Sequence, residues 1–150
     1  MGKIIVFATP DDGEYLWTVP NTISKACWVR LAEREGPGYD RSDKTFAIVP
    51  APKIILMAPN GGEKWKAGTT RTIKWSWEGT VGPVKISYSI DYGLNWTNIA
   101  AKAPNTGSCP WKVPNKPSTK CLVRIYEASD KIPSDLSDAS FTILSASATD

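Results

Sequence analysis

Apolar and polar side chains alternate with period two over most of the second two-thirds of the chain. "KIILMAP" (53–59) reads as a first strand, closed by the turn residues of "PNGG". "TRTIKWSWEG" (70–79) sets Ile73, Trp75 and Trp77 on one face, and "VKISYSID" (84–91) does the same with Val84, Ile86, Tyr88 and Ile90. "NWTNIAAKAP" (95–104) and "GSCPWKVP" (107–114) follow as further strands. "KCLVRIYEAS" (120–129) alternates Cys121, Val123 and Ile125, and "SDASFTILS" (137–145) closes on Phe141 and Ile143. Seven strands spaced by about ten residues, with no helical period anywhere, predict an all-β, two-sheet antiparallel sandwich.

The same pattern occurs twice, the first time in part. "DGEYLWTVPNTISKACWVRLAE" (12–33) aligns with "TGSCPWKVPNKPSTKCLVRIYE" (106–127) at an offset of 94. Gly13, Trp17, Val19, Pro20, Asn21, Cys27, Val29, Arg30 and Glu33 meet Gly107, Trp111, Val113, Pro114, Asn115, Cys121, Val123, Arg124 and Glu127. After a one-residue gap, "YDRSDKTFAIV" (39–49) aligns with "SDLSDASFTIL" (134–144). Residues 1–50 are therefore read as the C-terminal half of a repeat, contributing about four strands ("IIVFA", "YLWTVP", "CWVRLAE", "KTFAIV"). Residues 51–148 are read as one complete module. "VPAPKI" is the Pro-stiffened link between them, and the tail "SASATD" is expected to fray. A half-sandwich leaves an apolar face uncovered, at a cost of about 25 cal/mol per Å². The expectation is a homodimer in which two copies of 1–50 pair their orphan sheets about a two-fold axis.

"PNGGEKWKAGTTRTIKWSW", "VKISYSIDYGLNWTNIA", "NTGSCPWKVPN" and "CLVRI…SDLSDASFTI" together resemble the Ig-like domain of the Ser-Thr-rich glycosylphosphatidylinositol-anchored membrane protein family. The resemblance covers 54–144, with half a domain more in 1–49. It implies an Ig- or fibronectin-III-like sandwich, found in tandem in secreted and cell-surface proteins, and it implies no enzyme activity. On that reading the chain is a fragment of a larger extracellular protein, acting as a spacer, display or interaction module.

One motif invites an enzymatic reading. "SIDYGLNW" (89–96) fits S-x-D-x-G-x-x-W, the Asp box of sialidase propellers. An Asp box is a hairpin turn: Asp91 accepts backbone N–H groups, Gly93 takes positive φ, and Trp96 folds over the hairpin. Sialidase chemistry needs several such blades around a centre carrying Tyr, carboxylate and arginine groups. One box predicts a structural turn.

Composition narrows the remaining chemistry. The chain has no His, which removes the commonest general base and metal ligand. Net charge is +3 with the signs interspersed, so no nucleic-acid groove is expected. No Gly-rich phosphate loop, cofactor motif or membrane-span-length apolar run is present. The three cysteines, Cys27, Cys109 and Cys121, match no zinc spacing. Cys109 and Cys121 are spaced either to bridge across a hairpin-sized loop or to sit as two small buried thiols, and the sequence leaves both open. Of the seven Trp, Trp65, Trp75, Trp96 and Trp111 fall at aromatic positions of the resemblance and are assigned to packing, and Trp17 repeats Trp111. Trp28, Tyr39 and Trp77 are left as ligand-facing aromatics, and a polysaccharide is the partner they suit. Clustered Asp40, Asp43, Asp135 and Asp138 are read as turn and strand-edge residues rather than calcium ligands.

Overall fold

The computed structural model describes residues 2–147; the tip of the tail, 148–150, lies outside the described residues, as does residue 148 as the expected module end. The described residues form strands, turns and bends only, and none forms a helix long and apolar enough to cross a membrane. The chain divides into two compact units, Met1–Ala51 and Pro52–Asp150.

The first unit has four short strands: β1 (Ser24–Cys27), β2 (Arg30–Ala32), β3 (Tyr39–Arg41) and β4 (Phe46–Ile48). They form two antiparallel pairs, β1 with β4 and β2 with β3.

The second unit carries β5 (Lys53–Ala58), β6 (Lys64–Lys66), β7 (Thr70–Glu78), β8 (Val84–Ser89) and β9 (Thr97–Ala103). These are followed by β10 (Ser108–Lys112), β11 (Ser118–Glu127), β12 (Ser134–Leu136) and β13 (Phe141–Leu144). One sheet is ordered β10-β7-β5. The other is β6-β13-β11-β8-β9, with β12 added on β11. All pairings are antiparallel except β13 with β6. The two sheets pack in a sandwich-like fold because alternation puts one apolar row of each strand inward. Ile54 and Leu56 of β5 and Ile73 and Trp75 of β7 join Val84, Ile86, Val123, Ile125, Phe141 and Ile143 in one buried cluster. Trp65, Trp111, Tyr88 and Phe141 interlock inside it, with ring centroids 5.1 to 6.4 Å apart.

Several sequence expectations are corrected. β6 and β12 are strands that the alternation did not reveal, each being three residues long. "IIVFA" and "YLWTVP" form no strand. The counterpart of "YLWTVP" is β10, which is a strand because β7 pairs with it from Ser108↔Lys74 to Lys112↔Thr70. The first unit has no such neighbour, and an unpaired extended segment gains no ladder. Trp77 keeps the phase of Ile73 and Trp75 but emerges exposed at the end of β7. No bridge joins Cys109 and Cys121; all three cysteines are free thiols. They lie on strands of different sheets, Cys109 opposite Ile73 and Cys121 opposite Phe141. The Cys121 thiol donates instead to the Ser118 carbonyl at 3.3 Å.

Candidate functional site

The β8–β9 hairpin is organised by Asp91. Ser89 Oγ donates to Asp91 Oδ1 at 2.6 Å and accepts from the N–H of Gly93 at 2.8 Å. Asp91 Oδ1 accepts from Asn95 N at 2.9 Å, and Oδ2 accepts from Asn95 Nδ2 at 2.7 Å. Tyr92 and Gly93 follow with φ of 57° and 87°. A Cβ at Gly93 would stand 3.2 Å from the Trp96 ring. Trp96 is half-buried and lies across the hairpin rather than in the core. Gly93→Ala is expected to cost about 1 kcal/mol or more, because the new methyl meets both a left-handed backbone and the indole; urea unfolding measures it.

The hydrogen bonds from Ser89 and then Asn95 hold the Asp91 carboxyl down, from an ordinary 3.8 to about 2. A depressed folded-state value stabilises fully above the ordinary one and loses its contribution as pH falls from about 4 towards 2. Asp91→Asn should therefore remove part of the stability gained between pH 2 and pH 4 and leave the slope above pH 5 unchanged. Paired denaturation curves across that range check the sign.

The other motif residues are also taken up by turns. Glu63 accepts the N–H groups of Asn60 and Gly61, each at 2.8 Å. Asn60 Nδ2 donates to Asp138 Oδ2 at 2.7 Å, and the Asp138 N–H returns to Asn60 Oδ1 at 2.9 Å. Asp135 Oδ2 accepts the Leu56 N–H at 2.7 Å, tying β12 to β5. Among the described residues, no group of three or more His, Cys, Asp or Glu side chains gathers to hold a metal.

What remains outward-facing is a ladder of aromatic rings and arginines, present once in each unit. In the second, the Arg124 guanidinium stands 4.3 Å from the Trp96 ring centre and 5.7 Å from that of Tyr126. Its Nε is buried without a hydrogen-bond partner. These side chains, with Lys131, Ser134 and Asp135, line an open cleft of about 620 Å³. In the first unit, Arg41 stacks on Trp28 at 4.6 Å and Arg30 on Tyr39 at 4.8 Å. Register places Arg30, Arg41 and Tyr39 on one face of the β2–β3 pair, with Arg30 opposite Arg41 and Ala32 opposite Tyr39, and Trp28, just before β2, joins them through its contact with Arg41. Trp28 and Tyr39 are thus brought onto one surface. Trp77 lies in the other unit, against Gly107, and takes no part in that ladder. The arginines were missed in the sequence, where an Arg in an alternating strand reads as solvent-facing polarity. The available signal was their spacing two residues from an aromatic: Trp28-Val-Arg30, Tyr39-Asp-Arg41 and Arg124-Ile-Tyr126.

No protein-family model matches the chain, and neither a curated protein nor a solved structure matches it.

Proposed function

We propose that the chain is a non-catalytic, extracellular Ig- or fibronectin-III-like module of the family it resembles, serving as a spacer or interaction domain in a larger secreted or cell-surface protein. The observation that carries this reading is where the motif residues go. Asp91, Glu63, Asp135 and Asp138, the carboxylates a hydrolase would use, are each spent on turn or strand-linking hydrogen bonds. Burial pushes the Cys109 and Cys121 thiols up and keeps them protonated and slow to react, which suits these two thiols to an oxidising exterior.

A second reading, a polysaccharide-binding module, is favoured by the ladders. Trp28, Tyr39 and the Trp96–Arg124–Tyr126 cleft offer ring faces for stacking beside cationic donors, the chemistry that grips a sugar. Tryptophan fluorescence titrated with soluble glucans, xylans and chitin oligomers separates the two. The spacer reading expects no saturable change across the panel. The binding reading expects a saturable shift that Trp28→Ala or Arg124→Ala reduces by about tenfold or more.

A further inference from the structure

The outer face of the larger sheet in the second unit carries an arginine whose charge its neighbours in the sheet leave unanswered. Val123 and Ile125 of β11 point into the core, so Arg124 and Tyr126 between and beyond them point outward. Arg124 is paired opposite Leu136 of β12 on one side and Ser87 of β8 on the other, and Tyr126 opposite Ser134 and Lys85. A cross-strand carboxylate would neutralise the guanidinium, and none of these four neighbours is one. Ser87 gives its hydroxyl to Asn98 Oδ1 at 3.2 Å, and Lys85 adds a second cation, 6.0 Å from the Tyr126 ring centre. The carboxylate among the side chains lining the cleft, that of Asp135, sits opposite Ile125 and is taken by the Leu56 N–H at 2.7 Å.

The guanidinium is nonetheless held. The Trp96 ring stands 4.3 Å from it and the Tyr126 ring 5.7 Å, and Trp96 follows directly on Asn95, which the Asp91 carboxylate binds twice. Nε is buried and unpaired, so part of the hydration of this cation is already given up on folding. A counter-charge at the two Nη groups therefore has less water to displace and little side-chain freedom to freeze. The repeat supplies an independent observation. Arg30 is the counterpart of Arg124, and it too stacks on a tyrosine, at 4.8 Å, but the ring comes from the opposite strand: Ala32 and Tyr39 stand where the second unit has Tyr126 and Ser134. The arginine–tyrosine pair thus persists although its ring has changed strands, which a by-product of one strand's pattern would not do.

We propose that the cleft over Arg124 binds a uronic acid residue of an acidic polysaccharide, its carboxylate received end-on by the two Nη groups, an assignment that rests on the polysaccharide-binding reading above and names the class of sugar. The planar fork of the guanidinium matches the two oxygens of a carboxylate. Lys131, whose backbone is held at φ 71°, brings a further positive charge to the same cleft. Tyr126 and Leu136, the latter 43% exposed, give apolar walls for the C–H face of a sugar ring, and the Ser134 hydroxyl faces its hydroxyl groups. Both edges of β11 are already paired, with β12 and β8, so the floor of the cleft offers no free ladder to an added peptide strand. That favours a sugar acid over an acidic peptide as the occupant.

The test is titration calorimetry of the full chain, at physiological salt, with trigalacturonic acid, its methyl ester, neutral cellotriose and triglutamate. The expected result is saturable binding of the acid, with the ester and cellotriose weaker by about tenfold or more, the worth of a charge-assisted hydrogen bond. Arg124→Gln and Arg124→Lys should each weaken the acid by about tenfold or more, the lysine because an ammonium lacks the fork. Arg71→Gln removes the same charge from an exposed position on β7 of the other sheet and should bind like the parent. The ester leaves the protein unchanged, so it decides the matter even where an Arg124 variant loses its fold. Equal binding of acid and ester, or equal losses in Arg71→Gln and Arg124→Gln, overturns the carboxylate assignment; cellotriose binding as tightly as the acid does so while leaving sugar binding in place. Triglutamate binding as tightly as the uronide overturns it in favour of an acidic peptide. Failure of all the sugars to bind removes both this assignment and the polysaccharide reading.

Discussion

Trp111→Ala should destabilise the second unit by about 3–5 kcal/mol, whereas Trp17→Ala, at the equivalent repeat position, should cost about 1 kcal/mol or less. Trp111 is buried, with Tyr88, Trp65 and Phe141 at 5.1, 6.1 and 6.4 Å, so truncating it opens a large cavity between two sheets. Trp17 touches Phe46 and is otherwise half-exposed, so the space it vacates joins solvent. For a unit of this size, the larger loss lowers the thermal midpoint by more than about 12 °C. Far-UV circular dichroism during heating reads both variants without relying on the deleted fluorophore. Equal shifts would mean that the first unit has a closed core of its own.

Ser137→Ala is the second large effect, again set against its counterpart. Ser137 is buried; its hydroxyl accepts the Val123 N–H at 3.0 Å and donates to the Pro59 carbonyl at 2.8 Å. Alanine leaves a buried donor and acceptor without partners, a loss of about 1–3 kcal/mol. Ser42 makes the matching bond to Val29 at the surface, where water replaces it, so Ser42→Ala should change stability by about 0.5 kcal/mol or less. Urea midpoints at constant slope measure the pair.

The contrast between these positions also explains what the sequence could and could not disclose. Alternation located β5, β7, β8, β9, β10, β11 and β13, because each buries one row of apolar side chains. The repeat was legible because it consists of identities, and the turn around Asp91 because its chemistry is local. Whether a repeated segment becomes a strand was not legible. Glu14–Thr18 and Ser108–Lys112 share the Trp and the phase, yet only the second is a strand, since only it has β7 to pair with. Backbone pairing is a property of the neighbour, and a single segment does not encode it. The arginine ladders escaped for a related reason: two-residue spacing puts each Arg on a face with an aromatic, but the ring it stacks on most closely, Trp96 for Arg124 and Trp28 for Arg41, comes from another segment of the chain. The packing assigned to Trp65, Trp75 and Trp111 agrees with their burial; Trp96 is instead the ring that faces Arg124.

One pattern occurs closed in the second unit and open in the first. Amide hydrogen exchange on the unliganded chain tests it directly, comparing residues 122–127 with 28–33 and residues 108–112 with 14–18. Protection of residues 122–127, and of those amides of 108–112 that donate to β7, should exceed that of their counterparts by about a thousandfold or more, since these paired amides exchange only when the sandwich opens. Matching protection in both halves would mean that the first unit is as closed as the second.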